Sequence, residues 1–175
     1  MKALIVTGRN VQDQELIYPY YRLQEAGFEV DVYTKDGKEF QTFGGLKFQP
    51  SGNDLGSVHD YEILIIPGGV KAMEHMRLDT KLVDWIAAYH ASGGVIGSIC
   101  SGAQMLISAG LCKGRVISSY PAMRVDVENA GGKWHPGPVM NFDRIISAPH
   151  YRDLGPWMKE VLQAVGSERG WRNQQ

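Results

Sequence analysis

Gly97-Ser98-Ile99-Cys100-Ser101-Gly102 sets a cysteine among small residues where an apolar run gives way to a helix-forming one. A nucleophile elbow has this layout, because small neighbours let a strained turn present the reactive side chain at a helix N-terminus. That terminus favours thiolate over thiol, and thiolate is the reactive form, so the turn is expected to acidify Cys100. The competing reading is a small buried hydrophobe, a common fate for cysteine. Cys112, between Leu111 and Lys113 just past a helix end, has no elbow around it and reads as structural.

Three other segments fall where strands are expected to end. Gly68 and Gly69 allow close approach of backbone to a ligand, and their N–H groups, with that of Ser101, are candidates for an oxyanion hole. Taken alone, the glycine pair would be a plain tight turn. Glu15 sits in the first turn of a helix, where a carboxylate is favoured by the dipole alone; opposite a thiol it becomes a candidate to bond the sulfur or shuttle a proton. Tyr120 adds a phenol. The histidines His59, His75, His90, His135 and His150 include no i, i+4 pair, and neither cysteine has one close in sequence, so no metal site and no cofactor is expected.

Short Val- and Ile-rich runs alternating with amphipathic stretches must position these residues, and that rhythm implies βαβ units around a mostly parallel sheet. Strands are expected at 2–7, 29–34, 62–66, 95–99 and 115–119. Helices are expected at 15–26 (Leu16, Ile17, Tyr20 and Leu23 inward), 80–89, 102–109, 121–129 and 154–165. Residues 36–60 read as an irregular excursion with a hairpin through Phe40 to Phe48, and 134–148 as two or three antiparallel edge pieces. In an α/β sheet of this kind, ligands bind outside the carboxyl ends of the strands, which puts Glu15, the glycine pair, Cys100-Ser101 and Tyr120 on one edge.

The 175 residues suffice for one domain, placed at 1–166, followed by a polar tail at 167–175. With 18 basic and 19 acidic residues the chain has no electrostatic case for gripping nucleic acid or an anionic membrane surface, so a small-molecule substrate is expected. Its apolar runs are strand-length, well short of the roughly 18 residues of a membrane span, and Met1 leads straight into Ala3-Leu4-Ile5-Val6 without export features. A cytoplasmic location is expected. Two cysteines are too few for a disulfide framework.

Glu15-Leu16-Ile17-Tyr18-Pro19-Tyr20, Ile65-Ile66-Pro67-Gly68-Gly69, Ser98-Ile99-Cys100-Ser101-Gly102-Ala103 and Ile107-Ser108-Ala109-Gly110 before Gly114-Arg115 together resemble the ThiJ/PfpI superfamily, the PfpI branch most closely. The resemblance spans Lys2 to about Val165. It implies a flavodoxin-like three-layer sandwich, a homodimer or larger assembly, and an active-site cysteine at Cys100 with its acidic partner at Glu15. It also implies a cysteine-dependent hydrolase or lyase for small carbonyl or amide compounds, of glyoxalase, deglycase or peptidase type. Glu74 matches a glutamate that, in relatives, reaches in from a neighbouring subunit to orient a histidine after the cysteine.

Here that histidine is Ser101, and Tyr120 occupies a second place where some relatives carry one. A peptide amine leaving group therefore lacks an obvious acid, whose help is typically worth about 10²–10⁴ in rate. Cys-Ser-Gly-Ala is instead similar to the elbow of the isonitrile hydratases, so isonitrile hydration is an alternative, as is a non-enzymatic redox sensor in which the thiol is oxidised beside Glu15. His150, in a segment that borders the cysteine in the family, is a candidate replacement imidazole. The plainer reading is a solvated loop histidine.

Overall fold

The computed structural model describes residues 1–166, so the polar tail expected at 167–175 lies outside the described residues. The main sheet contains β1 (Lys2–Val6), β2 (Glu29–Tyr33), β5 (Ile63–Ile66), β6 (Val95–Ile99), β9 (Met140–Phe142) and β10 (Ile145–Ala148). Its order is β2-β1-β5-β6-β10-β9, parallel throughout except for the β10–β9 pair. Every residue of β5, β6 and β10 is buried. Strands buried on both faces need cover on both, which explains their continuous Val/Ile character.

Helices α1 (Asp13–Glu25) and α6 (Leu154–Ala164) pack against each other, α6 also lying on β6 and β10. Trp157, fully buried, donates its indole N–H to the Ile146 carbonyl at 2.9 Å. A Cβ at Gly97 would come within 2.9–3.0 Å of Ile65, Trp157 and Val161, so the bare backbone there lets α6 approach β6. The remaining helices are α2 (Val70–Met76), α3 (Thr80–Ala91), α4 (Ala103–Ser108) and α5 (Arg124–Asn129). Strands β3 (Phe40–Gln41) and β4 (Lys47–Phe48) form the expected hairpin. Among the described residues no helix is long and apolar enough to cross a membrane.

Three features depart from the sequence reading. The 134–148 stretch is only in part a set of antiparallel edge pieces: β9 is one, paired antiparallel with β10 at the sheet edge, but β10 is an internal strand also parallel to β6, and β8 (Lys133–His135) pairs in parallel with β7 (Val116–Ser118) in a separate two-stranded sheet. Short apolar strands look alike in sequence whichever neighbour they choose, because partner choice is a tertiary matter. Helix α2 was not expected; its seven residues bury Ala72, Met73 and Met76, too short a stripe to read as a period. Finally, α1 turns Glu15, Leu16, Pro19 and Leu23 fully inward and leaves Ile17 and Tyr20 half-buried, which places a carboxylate in the core.

Trp157 closes the α6–β6–β10 contact, so Trp157→Ala should lower the unfolding free energy by about 3–5 kcal/mol through cavity formation. A urea midpoint that moves to lower concentration at unchanged slope checks it.

Candidate active site

β6 ends at Ile99 in extended conformation, and the chain turns at Cys100 into a 3₁₀ turn (Cys100–Gly102) that runs on into α4. Cys100 has φ +58°, the left-handed region that a non-glycine residue enters at a cost of roughly 1–3 kcal/mol. The strained turn expected of an elbow is therefore present, and it leaves the Cys100 side chain only partly covered. The Cys100 carbonyl accepts the Tyr120 N–H at 3.2 Å, which ties the start of the segment after β7 to the elbow.

Glu15 meets the elbow from α1. It is fully buried, and its Oε2 accepts the Gly68 N–H at 2.7 Å. Its Oε1 is buried without a hydrogen-bond partner, and the Cys100 thiol and the carboxyl each shift the other's pKa. Burial is the main cause that raises the Glu15 pKa to about 7, against lowering by the Gly68 amide and the Cys100 thiol. Gly68 makes this contact possible. A Cβ there would sit 2.5 Å from Glu15 Oε2, 2.8 Å from Cys100 Cβ and 3.0 Å from the Ser101 nitrogen.

The helix terminus does not acidify the thiol as expected. Burial, then the Glu15 charge, push Cys100 up to about 12, and the polar N–H and hydroxyl of the adjacent Ser101 only partly offset them. The following helix is six residues long and begins after a 3₁₀ turn, so its dipole is small. Cys112 is buried and also raised, to about 11, chiefly by burial, in keeping with a structural residue.

The oxyanion-hole donors suggested by the sequence sit beside the sulfur but are already engaged. The Gly68 amide holds Glu15, and the Gly69 amide donates to Ser101 Oγ at 2.9 Å. Gly69 has φ +106°, the backbone conformation that directs its N–H at Ser101. Ser101, 2% exposed, thus accepts from Gly69 next to the Cys100 thiol.

Cys100 and Glu15 open into a cavity of about 440 Å³. Tyr120 and His150 line it with their rings stacked, centroids 6.4 Å apart, and Tyr151 packs on His150. His150 Nδ1 accepts the Arg152 N–H at 3.3 Å, which leaves the proton of a neutral ring on Nε2. His150 is therefore in the site and not a free loop residue. Glu74 is not brought there within one chain: it is exposed and pairs with Lys71 of the same helix at 3.0 Å. Sequence reasoning missed Asn10, Gln12, Phe43, Val70 and Lys71 of the cavity wall. Only Asn10 carried a signal, as a residue type that tolerates its φ of +62°. Among the described residues no group of histidine, cysteine or carboxylate side chains is placed to hold a metal ion.

The DJ-1/PfpI family model matches residues 1–164. The chain belongs to the DJ-1/PfpI family. It is 36% identical over 171 residues to the deglycase PfpI of Pyrococcus furiosus, covering 94% of this chain and 99% of that protein. A deglycase of Thermococcus kodakarensis is 37% identical over 166 residues, with 94% and 99% coverage. Among solved structures, the DJ-1/ThiJ/PfpI-like and ferritin-like two-domain protein of Anabaena variabilis superposes with a TM-score of 0.90 at 26% identity, over 94% of this chain and 48% of that one. Schizosaccharomyces pombe DJ-1 superposes at 0.87 and 18% identity over 99% and 96%, a likeness of fold. The family's flavodoxin-like α/β fold is the one described above.

A carboxyl whose pKa rises on folding makes the folded state bind its proton more tightly than the unfolded chain does. Glu15 therefore weighs against stability as pH climbs from 4.5 to about 7. Glu15→Gln, neutral throughout, should match wild type near pH 4 and exceed it by roughly 3 kcal/mol above pH 7.5. Chemical unfolding at a series of pH values reads this difference.

Proposed function

We propose that the chain is a cysteine-dependent deglycase or glyoxalase-type enzyme acting on small carbonyl compounds and their adducts. The observation that carries this reading is the Glu15 carboxyl, buried against Cys100 and able to change protonation near neutral pH. Relatives at 36–37% identity named deglycases support it.

In this reading the Cys100 thiol adds through sulfur to the aldehyde carbon of an α-oxoaldehyde, its proton passing by way of Glu15 to the carbonyl oxygen. From an amine adduct, sulfur displaces the amine, which leaves with a proton. Glu15 then removes the proton on the sulfur-bearing carbon and returns one to the neighbouring carbonyl carbon. The first carbon is thereby oxidised to a thioester and the second reduced to an alcohol, with no outside oxidant. Water cleaves the thioester, releasing a 2-hydroxy acid and the thiol. Thiolate is favoured while Glu15 holds its proton, and the Ser101 hydroxyl and amide are the donors that stabilise it.

Ser101 stands where a peptidase of this family would place its imidazole, and a hydroxyl donates a hydrogen bond but carries no spare proton at neutral pH. That favours carbonyl chemistry over peptide hydrolysis.

Conversion of methylglyoxal to lactate should be measurable with wild type and fall at least about 10³-fold in Cys100→Ser. Ser101→Ala should lower kcat by about 10–100-fold, the worth of a hydrogen bond to a charged group. No turnover by wild type, or full turnover by Cys100→Ser, would overturn the reading.

We also propose that the protein assembles with copies of itself. Glu74 has no partner but Lys71 among the described residues, and Val70, 55% exposed, stands at the cavity mouth beside it, where a second copy would cover both. Light scattering at micromolar concentration should give at least a dimer mass; a monomer mass overturns this.

A further inference from the structure

A second groove, of about 730 Å³, opens on the same edge of the sheet, beyond the carboxyl ends of β1 and β2. Arg9, Lys35, Lys38 and His75 line it. Two carboxylates also face it, but both have work within the fold. Asp36 Oδ1 accepts the Lys38 amide at 3.2 Å and the Thr34 hydroxyl at 3.4 Å, and Glu39 pairs with Lys47 at 3.8 Å. Lys35 Nζ donates to the Leu78 carbonyl at 3.4 Å. The side chains of Arg9, Lys38 and His75 are exposed and make no hydrogen bond or ion pair with the described residues. Three nitrogen-bearing side chains thus line one groove with no bonded partner of their own, beside two carboxylates that are engaged elsewhere.

Asn10 lines both this groove and the Cys100 cavity, and its left-handed backbone is held by the Asn10 N–H bond to the Gln41 carbonyl at 2.8 Å. One wall therefore joins the reactive centre to the cationic groove. We propose that Arg9, Lys38 and His75 form an anion subsite for the molecule handled at Cys100. The subsite holds a carboxylate or phosphate on the part of the substrate remote from the reacting carbon. This rests on the reading of Cys100 as the reacting group. The three donors supply charge-assisted hydrogen bonds, each modest at an exposed site, so the subsite selects substrates by affinity and leaves the chemical step alone.

Labelling of Cys100 tests this without turnover. At low salt, 6-maleimidohexanoic acid should label Cys100 about five-fold faster than its uncharged methyl ester, and the ratio should fall to about one in Arg9→Ala/Lys38→Ala and at 1 M salt. In parallel, calorimetric titration with pyrophosphate should show binding to wild type and equally to Cys100→Ser, weakened about ten-fold in the double variant. Acid preference with pyrophosphate binding, both lost in the double variant, supports the subsite; acid preference without it assigns the subsite to carboxylates. An acid-to-ester ratio unchanged by the double variant, or pyrophosphate binding without any acid preference, overturns the proposal. Failure of the methylglyoxal assay with the acid preference intact removes the deglycase reading and leaves the subsite standing.

Discussion

A carboxyl group with no exposure to solvent sits between the Gly68 amide and the Cys100 thiol, and much of the site's construction follows from accommodating it. An isolated carboxylate in such a place is very costly, so the group must be hydrogen-bonded, hold its proton, or both. Glu15 does both: one oxygen takes the Gly68 N–H, and burial lifts its pKa toward neutrality. The approach requires a residue at 68 with no side chain and a turn at Cys100 that brings the sulfur toward α1. The left-handed φ of Cys100 and the crowding around Gly68 are two consequences of one packing demand.

The elbow's neighbours follow from the same demand. With the Gly68 amide given to Glu15 and the Gly69 amide to Ser101 Oγ, the backbone donors are engaged by the side chains around the thiol and not left as an empty oxyanion position. Ser101 is fixed as acceptor from Gly69, and its polar groups oppose the rise in the thiol pKa. A hydroxyl in this place adds no titrating group near neutral pH, so Glu15 is the carboxyl whose charge acts on the thiol. His150, with its Nδ1 tied to the Arg152 amide, lines the same cavity beside the Tyr120 ring.

The elements that carry these residues differ in how openly the sequence declares them. β1, β5 and β6 are apolar runs bounded by glycine, proline or the elbow, and amphipathic α3 and α6 follow a helical period, so the βαβ rhythm and the strand-end location of Cys100, Gly68 and Glu15 could be read directly. The inward turn of Glu15 could not: Ile17 and Tyr20 make an equally good apolar face, and only the contact with α6 and the sheet rotates α1 to bury residues 15, 16, 19 and 23 instead. The place of β10 beside β6, and the pairing of β7 with β8 away from the main sheet, depend on long-range neighbours.

Residue type and local spacing, then, were enough to make Cys100 a candidate, because the small residues of its turn are written beside it, and to mark Glu15 as a carboxylate at a helix start that matters only if the fold sets it opposite the thiol. Tertiary structure decided what those groups are chemically. The thiol is pushed up and not down, the glycine amides are engaged, His150 reaches the cavity while Glu74 does not, and Asn10 joins two grooves. Each of these depends on desolvation or on distances between segments far apart in the chain, and a pKa or a hydrogen bond is set by whatever atoms lie within a few ångströms, whatever their separation in sequence.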